Sequence, residues 1–376
     1  MSEKIRVLVV DDSALMRKLI PQVLHRDPSI EVVGTAMDGE MGLKKIAELR
    51  PHVVTLDLDM PRMDGIEMLR QITRKHHVPV IVFSTQTDRS ASLTMKALAL
   101  GAFDFVAKPE DAAAGRIEQV AAEFALKIKV AASSGAPKLI ITVPSTKRKE
   151  RRRTAMPNWP SRLVAIGIST GGPNALQYLF SQLPEDFPGC ILVVQHMPEG
   201  FTDMFARRLD ECSAIEVKEA QSGDLLIAGR ALICPGNRHM KVRRMEHGNI
   251  AILVDQPRVN GHRPSADVLF QSVAQEFGGR SIGVLMTGMG DDGAVGLGNL
   301  RDAGAMTIAQ SPDTCVVDSM PRAAIARGFA ARVVSLSNLA GVLQSKCAPD
   351  RSAADPDLAA ASPADAVAGD GSSRRR

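Results

Sequence analysis

The sequence predicts two α/β domains in tandem: an N-terminal domain built on five parallel strands, then a larger, doubly wound C-terminal domain with a β-hairpin insertion. Three observations carry that prediction. Residues 5–130 alternate apolar runs of strand length with segments of helical period, residues 131–158 break the alternation, and from Leu163 it resumes to about residue 347. At roughly 150 residues per domain, a chain of 376 also exceeds one ordinary domain.

In the first domain IRVLVV, EVVGTA, HVVTLD, PVIVFS and FDFVA read as strands, and LMRKLIPQVL, EMGLKKIAEL, GIEMLRQITR, ASLTMKALAL and RIEQVAAEFALKI as the helices between and after them. Five such βα repeats imply a parallel sheet covered on both faces. SSGAPK and VPSTKRKERRRTAMPNWP mix Gly, Ser and Pro with a charge block, so residues 131–158 read as a linker, although LIITV at 139–143 is apolar enough to dock. In the second domain LVAIG and CILVVQ are strands, ALICPG, HMKVRR and IAILVD suggest strands in hairpins, and SIGVLMTG and AMTIAQ complete the set. Residues 348–376 have almost no large apolar side chains and are expected to be disordered. The expected division is therefore 1–130, linker 131–158, 159–347 and tail 348–376.

Composition narrows the function classes. MSEKIRVLVV has no leader pattern and no apolar stretch approaches the ~20 residues that span a bilayer, so a cytoplasmic, soluble monomer without membrane insertion is expected. Five cysteines with no C-x-x-C pair suggest neither a disulfide framework nor a zinc site. The net charge of +4 is modest and concentrated in KRKERRR at 147–153 and RRR at 374–376, and 3% aromatic residues argue against a stacking platform for single-stranded nucleic acid.

Three carboxylates fall at strand ends of the first domain: Asp11 and Asp12 after IRVLVV, and Asp57 at the end of HVVTLD. Like charges so close repel unless a cation intervenes, and Mg²⁺, a hard ion that prefers oxygen ligands, would relieve them. The competing reading is that Asp11 or Asp12 caps the helix beginning near Leu15. Ser84 and Lys108 reach the same rim and complete a site for an anion on Asp57. With TLDLDMPRMDG, Phe105 and Lys108-Pro109, residues 5–130 resemble the flavodoxin-like receiver domain of two-component response regulators. The resemblance implies that Asp57 accepts a phosphoryl group from a histidine kinase and that Asp11, Asp12 and Asp57 hold Mg²⁺. It further implies that Ser84 and Lys108 bind the phosphoryl oxygens and that Phe105 packs differently in the two states.

VAIGISTGGP opens the second domain. GISTG fits the loose G-x-S-x-G pattern of a turn that exposes a serine above a sheet, yet the same turn, with Pro173 at the helix start, would also serve a phosphate. No Walker lysine and no full G-x-G-x-x-G follows. A nucleophilic Ser169 requires a base and an acid elsewhere. His196 directly follows CILVVQ, whereas His239, His247 and His262 lie in polar strand or loop contexts; SIGVLMTGMGDDG delivers Asp291 or Asp292 to the same rim. Each residue alone also reads as structural, as a helix cap or a satisfied histidine.

GISTGGP, QHMPEGFT, CPGNRHM, HRPSADVLF, TGMGDDG and CVVDSMPRAAI together resemble the catalytic domain of the CheB family of chemotaxis protein-glutamate methylesterases and glutamine deamidases, over about residues 160–345. The resemblance implies Ser169 as nucleophile, His196 as general base and Asp292 as orienting acid, with glutamate methyl esters of methyl-accepting chemotaxis receptors as substrate and no cofactor for hydrolysis itself. It also implies that the unphosphorylated receiver lies against the catalytic face. The rival outputs are nucleic-acid binding through KRKERRR and nucleotide binding at GISTGGP, neither of which finds further support in the sequence.

Overall fold

The computed structural model describes residues 3–85, 87–108, 114–134 and 158–348, without the side chains of 114–119. The expected linker from 135 on, including LIITV and KRKERRR, and the tail from 349 lie outside the described residues.

The first domain runs β1 (Ile5–Val10), α1 (Ala14–Leu24), β2 (Ile30–Ala36), α2 (Gly39–Leu49), β3 (Val53–Leu56), α3 (Gly65–Lys75), β4 (Val80–Ser84), α4 (Asp88–Ala99), β5 (Asp104–Ala107) and α5 (Ala114–Ser134). Its five strands are all parallel, in the order β2-β1-β3-β4-β5. Residues 53–56 and 80–84 are buried throughout because helices cover both faces. Four helices begin at side-chain caps: Ser13, Asp38, Asp64 and Thr87 each accept from a backbone N–H three residues on. α5 continues to Ser134, past the expected start of the linker.

The second domain comprises β6 (Leu163–Ile168), α6 (Gly172–Ser181), β7 (Cys190–Gln195), α7 (Thr202–Cys212), β8 (Glu216–Glu219), β9 (Arg230–Ile233), β10 (His239–Arg243), β11 (Ile250–Val254), α8 (Ala266–Phe277), β12 (Ser281–Leu285), α9 (Ala294–Asp302), β13 (Met306–Gln310), α10 (Ser319–Ala326), β14 (Arg332–Val334) and α11 (Leu336–Cys347). Seven parallel strands form one sheet in the order β14-β13-β12-β6-β7-β9-β8, and β10 and β11 pair as the antiparallel hairpin. ALICPG therefore corrects the hairpin reading: β9 pairs in parallel with β7 and β8, because ALI is buried and belongs inside the sheet. The strand order reverses at β6, which places the crevice favoured for ligands above its carboxyl end. Ser169 is the first residue there.

The two domains meet. α4 packs on α6 and α7, Asn174 Nδ2 donates to Leu98 O at 3.0 Å, and the Phe105 ring tilts onto Phe201 with 4.7 Å between centroids. Thr170 Oγ1 donates to Asp104 Oδ2 at 2.9 Å, joining β5 to the residue beside Ser169. The same Asp104 oxygen pairs with Lys127 Nζ at 3.3 Å. No helix among the described residues is long and apolar enough to cross a membrane.

Candidate active site and phosphoacceptor site

The turn after β6 is held by its backbone. Ser169 N donates to Thr287 O at 3.0 Å, Gly172 N to Ser169 O at 2.8 Å, and Gln195 Nε2 to Ser169 O at 2.9 Å. Gly171, not the serine, adopts the left-handed conformation, with φ of 77°, so the chain reverses at a residue that has no Cβ to strain. A Cβ there would also come within 2.5 Å of Val316.

Ile168 is in register with Gln195 across β6 and β7, so residues 169 and 196 follow side by side on strands roughly 5 Å apart. His196 Nε2 meets Asp292 Oδ2 at 2.8 Å, leaving Nδ1 buried and without a partner among the described residues. Ser169 Oγ likewise makes no hydrogen bond among the described residues. With the Nε2 hydrogen given to the carboxylate, Nδ1 is the ring atom left with a lone pair facing out of the pair.

Asp292 is 1% exposed and fully engaged. Besides His196 it accepts from Ala266 N at 2.7 Å, Ser265 Oγ at 2.6 Å and Asn260 Nδ2 at 3.0 Å. Burial alone would push its carboxyl up, but the bond to and charge of His196, the Ser265 hydroxyl and the Ala266 N–H outweigh burial and hold it below the usual carboxylate range. Asp291, one residue earlier, points away and pairs with Arg327 at 3.0 Å on the surface. Of the two acids, Asp292 is the one bonded to the imidazole.

Of the other histidines, His239 departs from its expected polar context, whereas His262 lies in a polar loop as expected. His239 is fully buried, receiving Ser265 N on Nδ1 at 3.2 Å and meeting Pro257 O with Nε2 at 3.0 Å. His262 stacks on His196 with centroids 3.9 Å apart and 8° between ring planes. Asn260 and His262 were missed in the sequence because they come from a polar loop. The available signal was Asn260-Gly261, both with positive φ, a two-residue turn closed by the Val259–His262 bridge. Cysteine chemistry is not competitive: burial raises all five thiols, Cys190 and Cys315 to about 12.

At the rim of the first domain, ligand oxygens of Asp11, Asp12 and Asp57 lie within 4.8 Å of one another. Lys108 Nζ bridges two of them, bonding Asp11 Oδ2 at 2.9 Å and also Asp57 Oδ2. Burial opposes charge on both partners, raising the Asp11 carboxyl while the Asp57 and Asp11 carboxylates more than offset it on Lys108, whose ammonium is held above its usual range. Ser84 Oγ is buried beneath the same rim, 3.4 Å from Ser90 O. Gly65 is required by close approach, since a Cβ would lie 2.2 Å from Asp57 O. Phe105 is buried at the domain interface.

Residues 164–343 match the family model described as CheB methylesterase, and residues 7–118 match the response regulator receiver domain. The protein-glutamate methylesterase/protein-glutamine glutaminase 2 of Koribacter versatilis (strain Ellin345) is 59% identical over 353 residues, covering 92% of this chain and 97% of its own. The protein-glutamate methylesterase/protein-glutamine glutaminase of Symbiobacterium thermophilum is 47% identical over 351 residues, covering 90% and 96%. The crystal structure of the Thermotoga maritima CheB methylesterase catalytic domain aligns with a TM-score of 0.49 and 36% identity, covering 50% of this chain and 98% of that one. A nucleic-acid- or nucleotide-binding output has no support among these relatives.

Proposed function

The chain belongs to the protein-glutamate methylesterase/protein-glutamine glutaminase family, and from that premise we propose that it hydrolyses glutamate methyl esters, and deamidates glutamine, on methyl-accepting chemotaxis receptors. Ser169, His196 and Asp292 carry the reaction. The observation that supports that assignment is the buried His196–Asp292 pair, with Nδ1 unpartnered among the described residues and His196 following β7 beside Ser169 after β6.

The chemistry follows from those atoms. Ser169 Oγ attacks the side-chain carbonyl while its proton passes to His196 Nδ1, and the imidazolium is stabilised by Asp292. The tetrahedral oxyanion collapses, the bond to the methoxy oxygen breaks, and methanol leaves with the proton from Nδ1. Water then attacks the acyl-serine, giving its proton to Nδ1 and releasing glutamate; with glutamine, ammonia is the leaving group. Thr170 and Met289 N–H are free of acceptors among the described residues and suit the oxyanion, whereas His196 N–H is committed to Ile168 O at 3.1 Å.

Asp57 is the phosphoacceptor for a histidine kinase, and Asp11, Asp12 and Asp57 would hold Mg²⁺, which would neutralise charge during phosphoryl transfer. Three carboxylates within reach of one point fit such an ion. The phosphoryl group is held by Ser84 and Lys108. Chelating Mg²⁺ with EDTA is expected to abolish phosphorylation by acetyl phosphate, and Asp57→Asn to do the same with the metal present, both read by phosphate-affinity electrophoresis. Undiminished phosphorylation of Asp57→Asn would reassign the acceptor.

The receiver restrains hydrolysis in the unphosphorylated protein, acting in the cytoplasm where the kinase resides. Phe105 against Phe201 and Asp104 on Thr170 hold its β5 edge over the catalytic rim. Such a contact regulates when the docked and released arrangements differ by only a few kcal/mol. Phe105→Ala is expected to raise basal methanol release several-fold and to shrink the further gain on phosphorylation. Equal rates for the parent, the phosphorylated parent, Phe105→Ala and residues 155–349 would remove this regulation from the account.

A further inference from the structure

We propose that His262 is a positioning residue for the reaction: its ring, stacked on His196, is the platform on which the His196 imidazolium forms. This inference rests on the triad reading above.

The face of His196 is covered by His262 in nearly parallel contact, 3.9 Å between centroids and 8° between planes. Its edge is fixed by Asp292 through Nε2. Edge and face together restrict the imidazole, with Nε2 bonded and Nδ1 left without a partner among the described residues. The same tight turn supplies both constraints, because Asn260 Nδ2 bonds Asp292 Oδ1 at 3.0 Å and Asp267 Oδ2 at 2.7 Å, while His262, two residues on, supplies the stack. The turn is closed by reciprocal backbone bonds between Val259 and His262 at 3.0 and 2.9 Å.

The platform has to be uncharged to help. A protonated ring on that face would repel the cation created when His196 takes the serine proton, whereas a neutral aromatic face attracts it. Burial first, and the neighbouring His196 second, push the His262 imidazole down to about 4, which favours the neutral ring near neutral pH. Asp292, Glu123 of α5, and Arg258 are the other charged groups that act on it.

Full-length protein, phosphorylated with acetyl phosphate and Mg²⁺, should be assayed for methanol release from a methyl-esterified receptor fragment. His262→Ala is expected to lower kcat about 10- to 30-fold at unchanged KM, since a desolvated cation–aromatic contact made only after proton transfer is lost. His262→Phe, which keeps an uncharged aromatic face, should recover kcat to within about threefold of the parent. Ser169→Ala is run alongside. If it is inactive while His262→Ala stays within twofold of the parent, or while His262→Phe is as impaired as His262→Ala, the platform is overturned and the triad stands. If Ser169→Ala remains active, the triad reading itself fails.

Discussion

Ser169→Ala is expected to reduce methyl-ester hydrolysis on the order of 10⁴- to 10⁶-fold in kcat, with KM little changed. The size follows from what the hydroxyl does: without it there is no acyl-enzyme, and water must attack the carbonyl directly with no positioned nucleophile. Some rate persists, because the Thr170 and Met289 amides still face the oxyanion and substrate still binds. The turn should survive the change. Its geometry is set by backbone bonds from Ser169 N to Thr287 O and from Gly172 N to Ser169 O, neither of which uses the side chain. Methanol release under substrate saturation, with circular dichroism to check folding, measures it. A loss below tenfold would mean another group attacks.

Asp292→Asn carries the second-largest expected effect, about 10³- to 10⁴-fold in kcat. An amide preserves shape but reverses the polarity of one contact, and every neighbour of this side chain is a donor: His196, Ala266 N, Ser265 and Asn260. The amide NH₂ would face at least one of them, and the imidazole would be driven toward the tautomer with hydrogen on Nδ1, where it cannot accept the serine proton. The change is also expected to cost stability, because the ionised carboxyl, held below the usual carboxylate range, favours the folded state. That contribution is fully present above the ordinary carboxylate pKa near 3.8 and fades only as pH falls through the lower folded value. Asp291→Asn, by contrast, breaks an exposed pair with Arg327 and should leave kcat within about twofold.

Much of this was legible in the chain because both sheets are parallel. Strands buried on two faces read as continuous apolar runs, and polar residues that end such runs stand out: Asp57, Ser84, Ser169 and His196 all announce themselves that way. Edges were harder. β8 (EVKE) and β14 (RVV) lie at opposite margins of the seven-stranded sheet, half exposed, and their composition resembles a loop. Asp291 and Asp292 follow the same turn, and only the path of α8 and the Asn260 turn, a tertiary matter, selects the second. His262 was hidden for the same reason: its stacking partner lies 66 positions away, and no local period links them.

The contact between the two domains lies next to the proposed site. Asp104 precedes Phe105 on β5, and Thr170 follows Ser169, so residues adjacent to the proposed switch aromatic and the proposed nucleophile are joined directly.

The most direct test of the central claim, that Ser169 is the attacking group, is covalent labelling. Phosphorylated full-length protein is treated with a serine-directed fluorophosphonate, digested, and mapped by mass spectrometry. The account predicts one adduct, on Ser169 within VAIGISTGGP, formed faster than in unphosphorylated protein and absent from His196→Ala; an adduct on any other residue while Ser169 stays unmodified would contradict it.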